Sequence, residues 1–200
     1  MRFLLIITLL TSMAPAFSQA IDHWETVVYD SMVWRYRPGT SDPGANWFLP
    51  AFNDNSWAQG RGGFGYGDGD DRTTVNSVMS VFSRKKFTIT NRSKIVGAVL
   101  HADYDDGVIV YLNGVEIFRR TMPAGPVAFN QGSAGFHEAQ LYQGLVPDSF
   151  ELTASQLGQL LVSGENTLAV QVHNENISSS DLSSRVFLSV AISDNSFTYL

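Results

Sequence analysis

Cysteine is absent from the 200-residue chain, which excludes disulfides, thiol nucleophiles and cysteine-based zinc sites. The lack of cross-links says little about compartment, because they are needed mainly by domains smaller than this one. Positive charge is scarce: 13 Lys and Arg stand against 19 Asp and Glu, a net charge of −6. Nucleic-acid binding rests on basic residues that neutralise phosphates, so this balance argues against it and favours neutral polymers or cations as partners. Beyond the N-terminus no apolar run is long enough to span a bilayer, and no membrane span is expected. Helical periodicity is nearly absent too. Leu157, Leu160 and Leu161 recur at helical spacing behind Thr153, a candidate N-cap, so Thr153 to Leu161 is the one short helix expected, interrupted by Gly158.

The chain opens on Met1-Arg2, an apolar run from Phe3 to Leu10, and small or polar residues ending Ser18-Gln19-Ala20. That order reads as a secretory signal peptide cleaved after Ala20. The expected organisation is a signal peptide at 1–20, a single β-sandwich domain at 21–194 and a tail at 195–200. The expected address is secreted, periplasmic or cell-surface.

The most informative stretch is His101 to Phe118. Asn113-Gly114 between alternating apolar residues is a strong hairpin signal, because a type I′ turn needs positive φ at both central positions. A two-residue turn would set Leu112 against Val115, Val110 against Ile117 and Ile109 against Phe118. Val110, Leu112, Val115 and Ile117 then form a core face, and Ile109, Tyr111, Glu116 and Phe118 a mixed, partly wet one. The hairpin would also hold Asp103, Asp105 and Asp106 on an acidic loop at one end of a sheet.

Trp24–Val28, Met32–Tyr36, Val81–Thr90, Ile95–Ala102, Thr167–Asn174 and Val186–Ile192 read as further strands. Gly60 to Asp71 holds so many glycines that a long irregular loop is expected, pinned by Phe64 and Tyr66. Thr121 to Tyr142 reads as a long excursion with room for one short strand. Many short strands punctuated by Gly, Pro, Asn and Asp predict an all-β, antiparallel β-sandwich.

Clustered carboxylates are hard oxygen donors whose mutual repulsion a cation offsets, so Asp103, Asp105, Asp106, Asp68 and Asp70 are candidate calcium ligands. The alternative is that they cap strand ends and turns through backbone amides. Asp71 extends the second cluster, which lacks the glutamate that completes an EF-hand loop. Tyr104, Tyr66 and Trp47 could stack on sugar rings, although such rings in a sandwich mostly fill its core; Trp57 reads as structural. His173 and Asn174 end an inner strand and would line the same mouth as Asp105 and Asp106. A hydrolase reading could combine His173, Asp181 and one of Ser178 to Ser180, but no serine sits in a Gly-x-Ser-x-Gly elbow. Glu116 and Glu138 could be offered as a glycosidase pair, which requires a separation no sequence reveals.

Four stretches carry a resemblance: Phe52-Asn53-Asp54-Asn55-Ser56-Trp57, Phe82-Ser83-Arg84-Lys85-Lys86-Phe87, Val110-Tyr111-Leu112-Asn113-Gly114 and Gly164-Glu165-Asn166-Thr167-Leu168-Ala169-Val170. In this order they resemble the jelly-roll sugar-binding domains attached to β-galactosidase-type glycoside hydrolases. The chain looks closest to the galactose-binding-like module found in large exported bacterial proteins beside hydrolase, phosphoesterase or spore-coat-kinase-type domains. Asp105-Asp106-Gly107 is also similar to the loop of flocculin-type adhesin lectins, which implies aspartates that hold calcium and, through it, a sugar. The expected function is a non-catalytic module that binds glycan or cell-surface polymer, with calcium as candidate cofactor. The alternatives are a structural or adhesion module that positions a partner protein or domain, and a small hydrolase.

Overall fold

The computed structural model describes residues 20–194. Apart from Ala20, the expected signal peptide and tail lie outside the described residues.

The strands in chain order are β1 (His23–Val28), β2 (Val33–Pro38), β3 (Ala58–Arg61), β4 (Phe64–Tyr66), β5 (Thr73–Thr74) and β6 (Ser80–Ile89). They are followed by β7 (Ile95–Asp105), β8 (Gly107–Leu112), β9 (Val115–Arg120), β10 (Asp148–Thr153), β11 (Gly164–His173) and β12 (Leu182–Ile192). Sheet one has the order β10-β7-β12-β4-β5 with β1 also on β12, and sheet two the order β3-β2-β6-β11-β8-β9. Among the described residues only β4 and β5 pair in parallel. The two sheets enclose a core that includes Val28, Leu100, Val110, Leu168 and Leu188, so the chain is an all-β sandwich. The single α-helix among the described residues, α1 (Ala154–Leu160), starts at Thr153. The Thr153 hydroxyl and the Gln156 side chain form a reciprocal capping box, and Leu157 is buried.

The hairpin turns through Asn113 (φ 50°) and Gly114 (φ 87°), the left-handed pair a type I′ turn requires. Leu112 faces Val115 as expected, but a bulge then shifts the register. Tyr111 faces Glu116, Val110 faces Phe118 and Ile109 faces Arg119, which leaves Ile117 as the extra residue. The expected pairs Val110–Ile117 and Ile109–Phe118 are therefore not formed. Ile117 and Phe118 both reach the core, while Val115 is 51% exposed.

The outer face of sheet two is mixed as expected, wet at Glu116 and Lys86 but dry at its centre. Trp47, Trp57, Phe82 and Ala169 form a second apolar cluster, joined by Phe48, Phe52, Tyr111 and Phe129. The loop between β2 and β3 carries four of these rings, and only burial against the sheet removes so much apolar surface from water. Arg84 fastens that loop. Its Nε donates to Asp54 Oδ2 at 2.7 Å, and Nη1 donates to the carbonyls of Trp47 and Leu49.

The glycine-rich stretch is not one long loop, because it holds part of β3 and all of β4. A Cβ on Gly65 would stand 1.9 Å from the Leu182 carbonyl oxygen, so close approach of β4 to β12 accounts for glycine there. Residues 121–142 form no strand, and their chain folds back over the ends of β7 and β11.

Candidate functional site

Asp103 and Asp105 belong to β7, and only Asp106 lies in the bend before β8. Asp103 Oδ1 accepts from the Gln140 backbone N at 2.6 Å, and Oδ2 from Leu141 N at 3.2 Å. It thereby tethers the start of the 3-10 turn Leu141–Gln143. Asp106 accepts from His137 N at 3.1 Å and Glu175 N at 2.8 Å. These two carboxylates do for two loops what aspartate commonly does, satisfying amides that would otherwise be orphaned.

Asp105 differs. It is 4% exposed, and its carboxylate has no hydrogen-bond partner among the described residues. Burial, and then the charges of Asp106, Asp181, Glu138 and Asp68, push its pKa up to about 8. It lines a cleft of about 300 Å³ together with Asp106, Phe136, His137, Glu138 and Asp181. One oxygen each from Asp68, Glu138 and Asp181 lie within 4.8 Å of one another. Oxygens on opposite sides of a calcium ion at about 2.4 Å are about 5 Å apart, so this spacing fits a shared hard cation.

Each of the three carboxylates has one oxygen held by a hydroxyl. Ser183 donates to Asp68 at 2.8 Å, Tyr142 to Glu138 at 3.0 Å and Ser180 to Asp181 at 3.0 Å. Such contacts orient the carboxylates, and the Asp68 and Asp181 carboxyls also meet each other. Burial, reinforced by Asp181 and Asp70 and opposed by the Ser183 hydroxyl, pushes Asp68 up to about 6.

Among the described residues no Lys or Arg lines the cleft. Arg185 serves a neighbouring group: its Nη2 meets Asp70 Oδ2 at 2.8 Å, and its charge favours the charged forms of Asp71 and Asp103. Of the five expected metal ligands, Asp105 and Asp106 line the cleft, and Asp68 stands beside it with Glu138 and Asp181. Asp70 is paired with Arg185, and Asp103 is occupied by backbone amides.

The expected ligand contacts need larger corrections. Tyr104 is buried, donates to Asp148 Oδ2 at 2.8 Å and stacks on His137 at 4.0 Å. Trp47 is buried in the aromatic cluster, 6.1 Å from Trp57. His173 is buried, and its Nδ1 donates to the Gln131 carbonyl at 2.8 Å. Desolvation lowers its pKa to about 4. Asn174 is buried and donates to Tyr66 Oη at 2.8 Å and to the Val78 carbonyl, while Tyr66 donates to the Ser179 carbonyl. Tyr66 and Asn174 therefore brace the loop beside the cleft instead of lining it. Large rings and strand-end polar groups were drawn inward because this domain has enough layers to bury them.

His173 bonds Gln131 and Gln171, not Asp181 or a serine, so the hydrolase triad is not assembled. Glu116 is engaged by Arg119 at 2.6 Å on β9 and does not line the cleft. The sequence reading missed Glu138 and Asp181 as members of the acidic group, and Phe136 and His137 as cleft residues. Their signal was only an acid or a ring inside a long loop, with nothing local to say where that loop returns.

No protein-family model matches the chain, and no curated protein matches it in sequence. Solved structures do match in fold. The chain is similar to part of a calcium-binding mutant of Bacteroides uniformis β-glucuronidase 2, with 14% identity and a TM-score of 0.53, covering 84% of this chain and 18% of that one. It is similar to a glycosyl hydrolase family 2 member from Bacteroides cellulosilyticus at 16% identity and TM-score 0.52, covering 84% and 20%. A β-glycosidase from Bacteroides vulgatus gives 18% identity and TM-score 0.51, covering 83% and 20%. The chain spans about a fifth of the length of these enzymes. At such identities the likeness defines a class by fold: a β-sandwich of the kind found as one part of glycoside hydrolase family 2 enzymes.

Proposed function

We propose that this chain is an exported, non-catalytic carbohydrate-binding module, and that its acidic cleft holds calcium which helps retain a glycan or cell-surface polymer. Asp105 is the observation that carries this reading: a residue 4% exposed whose carboxylate opens on the cleft with no hydrogen-bond partner among the described residues, near four further acids, Asp68, Asp106, Glu138 and Asp181, and with no Lys or Arg in the lining. Leaving such a group uncompensated is costly, and a divalent cation with oxygen ligands offsets it. Phe136, 79% exposed on the cleft wall, offers an apolar face to a sugar ring. The fold's occurrence within glycoside hydrolases agrees with a carbohydrate role. A glycan array read with calcium and with chelator tests the proposal. Binding that disappears on chelation is expected, and no binding under either condition would remove it.

A second reading, an assembly module that positions a partner domain, draws on Leu145 and Val146, which are 52% and 80% exposed side by side. It predicts retention of a partner protein that Val146→Asp abolishes while glycan binding persists.

A further inference from the structure

Arg35 on β2 and Arg84 on β6 stand directly across from each other in the ladder. Side chains so paired leave the same face of a sheet, and like charges there repel. The two strands pair only from Arg35 to Pro38. Beyond Arg35 they part and open a cleft of about 310 Å³, lined by Val33, Arg35, Asp54, Asn55, Arg84 and Lys85 among others. That volume is at the small end of ligand sites, about 300 to 1,000 Å³.

Four cations line this cleft, and two have carboxylate partners: Arg84 with Asp54 at 2.7 Å, and Lys86 with Glu165 at 2.8 Å. Lys85 reaches only the Val33 carbonyl, at 2.8 Å, and Arg35 only neutral acceptors, the Trp57 carbonyl and the Gln59 amide. Arg84 is 1% exposed, and its Nη2 is buried without a hydrogen-bond partner. Positive charge is thus concentrated and left uncompensated at one place on a chain that is acidic as a whole. Guanidinium groups match two-oxygen anions through their planar fork. Asn55 and Gln59 add amides suited to hydroxyl groups.

We propose that the cleft between β2 and β6 is an anion site that takes the carboxylate or sulfate group of an acidic saccharide. The anion part stands on the cleft's own residues; the saccharide part rests on the carbohydrate reading above. Isothermal titration of the full chain at low salt, with trigalacturonate, a sulfated chondroitin disaccharide and neutral galactotriose as probes, tests it. At least one acidic probe should bind, and which of the two binds separates carboxylate from sulfate. Arg35→Gln or Lys85→Gln should weaken that binding about tenfold or more, with cooperative melting retained, whereas Glu25→Gln, exposed on β1 of the other sheet, should leave it unchanged. Failure of both acidic probes to bind, or undiminished binding in both variants, overturns the proposal. Binding of galactotriose alone overturns it too, yet leaves the carbohydrate reading intact.

Discussion

Asn113 in the hairpin turn and Asn166 near the start of β11 are joined amide to amide: Nδ2 of Asn113 donates to Oδ1 of Asn166 at 2.7 Å. Oδ1 of Asn113 accepts from Thr167 N at 2.8 Å, and Asn166 Oδ1 also accepts from Val162 N at 3.0 Å. Asn166 is fully buried. Asn166→Ala leaves buried donors and acceptors unpaired, so a loss of about 1 to 3 kcal/mol is expected in urea denaturation. A change within experimental scatter would show that the turn holds without this lock.

Calcium should stabilise the fold through the acidic cleft. At a free concentration about a hundred times Kd, a ligand that binds only the native state adds about 2.7 kcal/mol. Thermal melts with calcium and with chelator should differ in the wild type and converge in Asp181→Asn or Glu138→Gln. Identical wild-type melts would count against calcium binding.

The same acids set a pH dependence in chelator. Asp105, at about 8 in the folded state against about 3.9 in an unfolded chain, holds a proton when folded that the unfolded chain has released. Stability therefore falls as pH rises between these values, by at most about 1.4 kcal/mol per pH unit for each proton. Asp105→Asn should raise the melting temperature at pH 8 and change it little at pH 4. His173 acts in the opposite sense: its pKa is near 4 when buried, so its contribution is lost as pH falls below about 6.5. An Asp105→Asn protein no more stable than wild type at alkaline pH would refute the assignment.

Gly65→Ala should be severely destabilising, because the added Cβ meets the backbone oxygen of Leu182 and the carboxylate of Asp71. Gly69→Ala in the same loop meets no atom within 4 Å, although its φ of 75° strains any other residue. The melting temperature should fall much further for the first than for the second.

The sandwich was legible because alternation, turn residues and one capped helix are local signals. The four stretches that carried the family resemblance are coupled in space. Asp54 of the first holds Arg84 of the second, and Asn113 of the third holds Asn166 of the fourth. Their co-occurrence in sequence thus reflects two contacts. The cleft was only half legible. Asp105 ends a strand and Asp106 follows it in the bend before the hairpin, whereas Glu138 and Asp181 arrive on loops whose return depends on Asp103 and Asp106 capturing distant amides. The register slip at Ile117 was hidden for a similar reason, since a bulge leaves alternation intact on either side of it.

β12 lies beside β7 along most of its length and also pairs with β1 at one end and β4 at the other. During synthesis, all three partners leave the ribosome before the strand that unites them, with β1 separated from it by about the whole domain. Until Leu182–Ile192 has emerged, the edges of β7 and β4 stay open to foreign strands. A nascent chain of this kind has reason to lean on a holding chaperone, and premature termination before that point should yield aggregates in place of a smaller soluble product.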